Sequence, residues 1–224
     1  MKRGNLVSPE GLWLVNKPLG KSSFWCVSVL RRVTGIRKIG HAGTLDPLAE
    51  GLMLVLVGKD YTRQADSLLK QDKDYELVIR LGMESTTDDE EGEKRTISDR
   101  QPTLDELQTA IKQLTGGIEQ VPPSHSAIKV AGRRAYTLAR RGEAVQLAAR
   151  TVTVYKWTEV HYRYPELRAR VRVSSGTYIR SLARDIGKLL GTGAYLTALK
   201  RTQIGEYHLD AAVDLTALEK GAKT

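Results

Sequence analysis

The sequence predicts an α+β fold built on a mixed, largely antiparallel sheet. Three observations carry this expectation. Short apolar runs of strand length are interspersed with amphipathic helical stretches, the two do not alternate as regular βαβ units, and one late segment alternates strictly between apolar and cationic residues. There is no internal repeat and no low-complexity linker, so one domain spanning 1–224 is expected.

Taken in order, Gly11-Leu12-Trp13-Leu14-Val15 reads as a buried strand ended by Asn16-Lys17-Pro18 and Gly20. Ser22 or Ser23 can cap a helix carrying Val29, Leu30 and Val33, with Arg31, Arg32, Arg37 and Lys38 near its end. A loop rich in glycine and proline, Gly40 to Gly51, leads into the apolar run Leu52–Val57, read as a buried strand. Tyr75–Leu81 is a further strand. Glu84 to Glu93 holds six acidic residues without apolar period and is expected to be a solvated, mobile loop. Thr103 and Glu106 form a capping-box pattern before Leu104, Leu107, Ile111 and Leu114, and Gly116-Gly117 stops that helix. Gln120 to Arg150 is basic and poor in large apolar residues, an excursion from the core. Strands resume at Val152–His161 and Leu167–Ser174. In the second, Leu167, Ala169, Val171 and Val173 alternate with Arg168, Arg170 and Arg172, whose face either meets solvent or contacts RNA. Thr177–Leu190 is an amphipathic helix, with Ile179, Leu182, Ile186 and Leu189 on one stripe, ended by Gly191 and Gly193.

Composition narrows the function. The 224 residues are 41% hydrophobic and 27% charged, ordinary for a globular chain. The longest apolar run is far too short for a membrane span, and the N-terminus leads into no apolar stretch, so a cytoplasmic protein without membrane attachment is expected. A single cysteine, Cys26, excludes an internal disulfide. The net charge of +9 is uneven: residues 120–224 hold 18 Lys/Arg against 8 Asp/Glu, whereas residues 1–119 hold 17 against 18. A basic half attracts polyanions, nucleic acid above all.

Nucleotide-cofactor, metal and serine-hydrolase motifs are missing: there is no GxxxxGK[ST], no GxGxxG and no GxSxG, and the four histidines lack ligand spacing. No cofactor and no metal are expected. One segment stands out, Gly40-His41-Ala42-Gly43-Thr44-Leu45-Asp46-Pro47-Leu48-Ala49-Glu50-Gly51. Pro47 biases Asp46 away from helical geometry. The residues alone leave two roles open for its carboxylate: an Asx-type turn that satisfies backbone N–H groups, or catalysis.

This segment resembles the signature of the TruB family of tRNA pseudouridine synthases, G-H-x-G-T/I-L-D-P-x-A-x-G-x-L, and matches it throughout. Other blocks of that family recur in order: Lys17-Pro18-x-Gly20 with Ser22-Ser23; Asp72-Lys73-Asp74-Tyr75 then Leu81-Gly82; Gln120-Val121-Pro122-Pro123 then Ser126-Ala127-x-Lys129 and Gly132; Ser174-x-Gly176-Thr177-Tyr178-Ile179-Arg180-Ser181-Leu182; and Leu199-Lys200-Arg201-Thr202 then Gly205. The resemblance implies a pseudouridine synthase fold with a basic thumb-like insertion over 120–150. It also implies isomerisation of uridine-55 in the T-psi-C loop of tRNA. It gives Asp46 the catalytic role, with Arg180 pairing with it and Tyr75 stacking on the target base. His41, Leu199 and Lys17 become substrate-binding residues, as do Lys129, Arg133 and Arg134 of the insertion. The expected partner is the T arm of tRNA, met by a monomer.

The chain departs from the family pattern at His125, usually Tyr, and at Asn16, usually Asp; Gly58–Arg63 is one residue longer. No residues are left for the C-terminal PUA-type domain of many relatives, so the form lacking it is expected. Two other functions share these motifs: a guide-RNA-dependent synthase acting on ribosomal RNA, and a catalytically silent RNA-binding or tRNA-folding protein.

Overall fold

The structure, a computed structural model, describes residues 9–126, 128–130, 132–139, 141 and 147–221. In chain order its elements are β1 (Gly11–Lys17), α1 (Ser23–Thr34), β2 (Ile39–Ala42), β3 (Ala49–Val57), α2 (Lys59–Thr62), α3 (Ala65–Leu69), β4 (Lys73–Leu81), β5 (Met83–Ser85), β6 (Lys94–Thr96), α4 (Leu104–Gln113), β7 (Gly116–Gln120), β8 (Lys129–Val130), β9 (Arg133–Arg134), α5 (Ala135–Ala139), β10 (Arg150–Arg163), β11 (Glu166–Val173), α6 (Ile179–Leu190), β12 (Ala194–Ile204), β13 (Tyr207–His208), β14 (Val213–Asp214) and α7 (Leu215–Gly221). The α+β class is as the sequence implies. The chain divides into two compact units, residues 1–75 with 200–224 and residues 76–199.

In the first unit β3 pairs antiparallel with β1, from Gly11↔Val57 to Lys17↔Gly51, and with β2, from Ile39↔Val57 to Ala42↔Leu54. β14 joins β1 in parallel. The apolar run of β3 is buried without a break because both its faces are covered. Leu52, Leu54 and Leu56 pack with Ala42 and Ile204 and against Tyr61, Ala65 and Leu68 of the short helices α2 and α3. Helix α1, with Cys26, Val27, Val29 and Leu30 buried, packs against β1, β2 and β3. Of the two serines offered as its cap, Ser22 accepts from the Trp25 N–H; Gly35, left-handed at φ 73°, closes the other end. The expected loop Gly40–Gly51 is shorter than its composition suggests: Gly40–Ala42 is already strand and β3 begins at Ala49.

In the second unit β7, β10 and β11 follow one another antiparallel. The alternation of β11 is met: Leu167, Ala169, Val171 and Val173 are buried. Helices α4 and α6 pack together, and Thr103 and Glu106 form the capping box the sequence implies. The excursion Gln120–Arg150 begins and ends on one ladder pair, since Arg150 of β10 sits opposite Gln120 of β7. Within it the hairpin β8–β9 sets Lys129 opposite Arg134, and α5 follows.

The acidic stretch Glu84–Glu93 is a correction to the sequence reading. It is a folded turn joining β5 to β6, with Asp89 only 2% exposed. Its carboxylate accepts from the Thr87 hydroxyl and the Glu91 N–H and pairs with Arg180 at 3.3 Å, so this one charge is neutralised inside the fold, while Glu90, Glu91 and Glu93 stay exposed as expected. Among the described residues no helix is long and apolar enough to cross a membrane.

Candidate active site

Asp46 sits half-buried in the six residues between β2 and β3, and this short turn is held from both sides. Ser23 clasps the preceding residue: its hydroxyl donates to the Leu45 carbonyl and accepts from the Leu45 N–H, both at 2.8 Å. The following residue is held by Gly20, whose N–H donates to the Pro47 carbonyl at 2.8 Å. Ala49 N–H donates back to the Asp46 carbonyl at 3.0 Å, closing the turn. A carboxylate on a turn fixed this way loses little freedom when it meets a reactant.

Cations surround this loop in the first unit. Lys17, at the end of β1, is fully buried and donates to the Pro18 and Lys21 carbonyls at 3.0 and 2.6 Å. Burial lowers its pKa, while Cys26, Asp46 and Glu50 act the other way. Lys73, at the start of β4, donates to the Leu69 and Gln71 carbonyls at 3.0 and 2.6 Å. Burial, then the positive Arg201, push it down to about 8. Arg201 of β12 is 1% exposed, with Nε donating to the Leu52 carbonyl at 2.7 Å and Nη2 buried without a hydrogen-bond partner among the described residues. A Cβ on Gly43 would lie 3.5 Å from Arg201 Nη1 and 4.0 Å from Lys73 Cε, so both cations border the Asp46 loop. His41 Nδ1 is 3.0 Å from the Gly43 carbonyl. A carbonyl only accepts, so the proton is on Nδ1, and burial holds the imidazole below its ordinary pKa and neutral at pH 7.

Of the residues the sequence singles out, Lys17, His41 and Asp46 thus share one neighbourhood of the first unit. Tyr75 stands two residues after Lys73 on the same face of β4 and is 6% exposed.

Arg180 and Leu199 belong to the second unit, as do Lys129, Arg133 and Arg134. Arg180 is 5% exposed on the first turn of α6. It donates to the Thr87 carbonyl at 3.1 Å and to the His125 carbonyl at 2.9 Å, and pairs with Asp89 at 3.3 Å. The start of α6 is fixed by Gln120: its side-chain amide donates to the Tyr178 carbonyl at 3.1 Å and accepts the Tyr178 N–H at 2.8 Å. Ser181 Oγ donates to the Val121 carbonyl at 2.9 Å. The base of the 120–150 insertion and the helix bearing Arg180 are therefore one hydrogen-bonded assembly. Leu199 is half-buried in β12, and Arg133 is exposed on β9. The cationic face of β11 is largely neutralised: Arg168 pairs with Glu166 at 2.9 Å, and Arg170 with Glu76 and Glu159 at 2.8 and 3.0 Å.

Sequence reasoning offered Ser23 only as a helix cap and gave no individual role to Lys73, Arg201 or Asp89. The first three stand inside the motif blocks quoted above, which was the available signal; Asp89 had none beyond its acidic neighbours. Among the described residues no group of three or more His, Cys, Asp and Glu is placed to hold a metal ion.

Residues 31–179 match the family model described as TruB family pseudouridylate synthase (N terminal domain), and residues 180–223 match tRNA pseudouridylate synthase B C-terminal domain. The chain is 48% identical over 221 residues to tRNA pseudouridine synthase B of Thermobifida fusca, covering 93% of this chain and 74% of that protein. To the protein of the same name from Chlamydia trachomatis serovar L2 it is 44% identical over 213 residues, covering 95% and 88%. Among solved structures it resembles a chain of a Cbf5-Nop10-Gar1 complex, with TM-score 0.73 and 28% identity over 95% of this chain. A second is an H/ACA RNP bound to a substrate RNA containing 2′-deoxyuridine, with TM-score 0.70 and 26% identity. The present chain spans about half the length of these two solved chains, 54% and 53%.

Proposed function

The chain belongs to the TruB family of pseudouridylate synthases, and from that premise we propose that it isomerises a uridine of tRNA to pseudouridine, at position 55 of the T arm. The observation that carries this reading is the Asp46 carboxylate, presented half-buried on a turn clasped by Ser23 and Gly20 and bordered by cations.

Isomerisation breaks the bond from N1 of uracil to C1′ of ribose, turns the base, and joins C5 to C1′; the proton leaving C5 is balanced by the one gained at N1. No electron is gained or lost. Asp46 either attacks C1′ or removes a ribose proton, and both routes need it ionised. We assign Arg180 a charge-holding role, Tyr75 the aromatic face under the base, Leu199 an apolar wall and His41 a contact with the extruded nucleotide. An aromatic face offsets the stacking lost when a base leaves its helix, worth about 1–3 kcal/mol. Lys17, with its ammonium committed to two carbonyls, acts by holding the 18–21 turn. Lys129, Arg133 and Arg134 contact phosphates.

The test is incubation of the pure protein with an unmodified tRNA transcript and no guide RNA, followed by pseudouridine-specific chemistry. Pseudouridine at position 55 is expected. None there, or formation only with an added guide RNA, would overturn the proposal and favour the guide-dependent reading that the H/ACA resemblance raises. Asp46→Asn keeps the shape of the turn and removes the charge. It should bind tRNA normally and turn over several orders of magnitude more slowly.

A further inference from the structure

Between Glu10 and Asp46 the chain holds six Lys/Arg and no Asp or Glu. Lys17 is buried, but Lys21, Arg31, Arg32, Arg37 and Lys38 are exposed. Arg32 is paired with Glu219 at 3.0 Å; among the described residues none of the other four has a carboxylate within 4.0 Å. Of the large apolar side chains of this stretch, Leu19 and Phe24 are the most exposed, at 64% and 60%. Single exposed apolar residues are ordinary. These two differ from that background in their setting. The Arg31 guanidinium lies 5.5 Å from the centre of the Phe24 ring, one helical face along, and the Lys21 ammonium lies 6.0 Å from the Trp25 ring. Leu19 adjoins Gly20, whose N–H holds the Pro47 carbonyl next to Asp46.

We propose that Phe24, with the Arg31 guanidinium against its ring, is a stacking platform for an unpaired base of the RNA next to the target uridine. The inference rests on the function proposed above and adds to it a recognition surface on α1. Taking one nucleotide out of its stack leaves its neighbours with bare faces, and an exposed aromatic ring backed by a guanidinium meets that need for any base. The stretch itself carries no acidic side chain, and Glu219, which reaches it, is paired with Arg32, so a phosphate here meets an excess of cations. The occupant is single-stranded, because the faces of bases in a duplex are already covered.

The test compares wild type with Phe24→Ala, Phe24→Trp, Arg31→Gln and a control at an exposed leucine of α6, Leu189→Ser. Dissociation constants for unmodified tRNA and for a loopless RNA duplex are measured over a range of salt, with the pseudouridine assay in parallel. Phe24→Ala should weaken tRNA binding about ten-fold with an unchanged salt slope, and leave duplex binding unchanged. Phe24→Trp should restore the affinity, which no loss of mere surface would require. Arg31→Gln should weaken binding and flatten the slope of log affinity against log salt by about 0.7. Melting temperatures should stay at the wild-type value, since both side chains are exposed. A Phe24→Ala affinity within two-fold of wild type overturns the platform, and so does an equal loss on the duplex. Failure of the wild type to form pseudouridine overturns the proposed function instead, and leaves the affinity comparison to decide the platform separately.

Discussion

At Gly51 a Cβ would lie 2.3 Å from the Arg201 carbonyl oxygen, and φ is 104°, a value side chains rarely adopt. Neither backbone can give way without opening the join between β3 and β12. Gly51→Ala should therefore cost about 2–4 kcal/mol in denaturant unfolding. Lys73 yields a prediction of a different kind. Its folded-state pKa of about 8 lies below the ordinary 10.5, so the unfolded chain holds its proton over a window where the native state has released it. Stability rises with pH wherever the unfolded state binds more protons. The unfavourable contribution of Lys73 is thus fully present below pH 8 and is relieved as pH climbs from about 8 toward 10.5, by up to about 3 kcal/mol. Lys73→Met should lack this alkaline gain; unfolding of both proteins at pH 7 and pH 9.5 measures the difference. Asp89 is buried, accepts from the Thr87 hydroxyl and the Glu91 N–H and pairs with Arg180, so Asp89→Ala, which removes all three contacts, should cost about 3–5 kcal/mol in denaturant unfolding.

Elements carry the next level, and the clearest is the 120–150 insertion with α6. Gln120 is fully buried, and its amide satisfies both backbone groups of Tyr178. Gln120→Ala should destabilise by about 1–3 kcal/mol in denaturant unfolding, since it takes the acceptor from the Tyr178 N–H and leaves the Tyr178 carbonyl with the Leu182 N–H alone. The cations of the insertion act on RNA rather than on the fold. Arg133, Arg134, Arg140 and Arg141 changed together to Gln should weaken tRNA binding and lower the salt slope by about 0.7–0.9 per lost phosphate contact. Arg140 lies outside the described residues, so that prediction stands on sequence for this position. The bounds of the insertion were legible because Pro122-Pro123 and the fall in large apolar residues mark a departure from the core. The long strands and the capping box were legible because burial period and cap chemistry are local. Helices α2 and α3 and strand β12 were not read, since neither short helix buries a full apolar stripe of its own and β12 has no strict alternation. Asp89 was read as solvated because its neutralisation depends on Arg180, 91 positions away in the chain and invisible to any window. For the Asp46 loop, the motif was plain and its clasp by Ser23 was not. Capping and clasping serines look alike until the fold chooses between them.

For the molecule as a whole, charge and donor chemistry set the expectations. The described residues offer no trio of ligating side chains, so EDTA and dialysis on pre-folded tRNA should leave turnover within about two-fold, as followed by pseudouridine formation. The two clasps on the Asp46 loop and the ladder pair at the insertion also differ in what they permit over evolutionary time. Ser23 and Leu45 are bonded across 22 positions, and β2 within that interval is registered against β3. Adding or deleting one residue there would send His41 to the opposite face of its strand. The insertion is bounded by Gln120 and Arg150, already joined, and closing a longer loop from joined ends adds only about 0.6 kcal/mol per doubling of length. Beyond His125, where its base is tied to α6, a lineage is free to lengthen, shorten or decorate the segment. The interval from Ser23 to Leu45 is a fixed ruler, and the grip on the substrate is where descent can improvise.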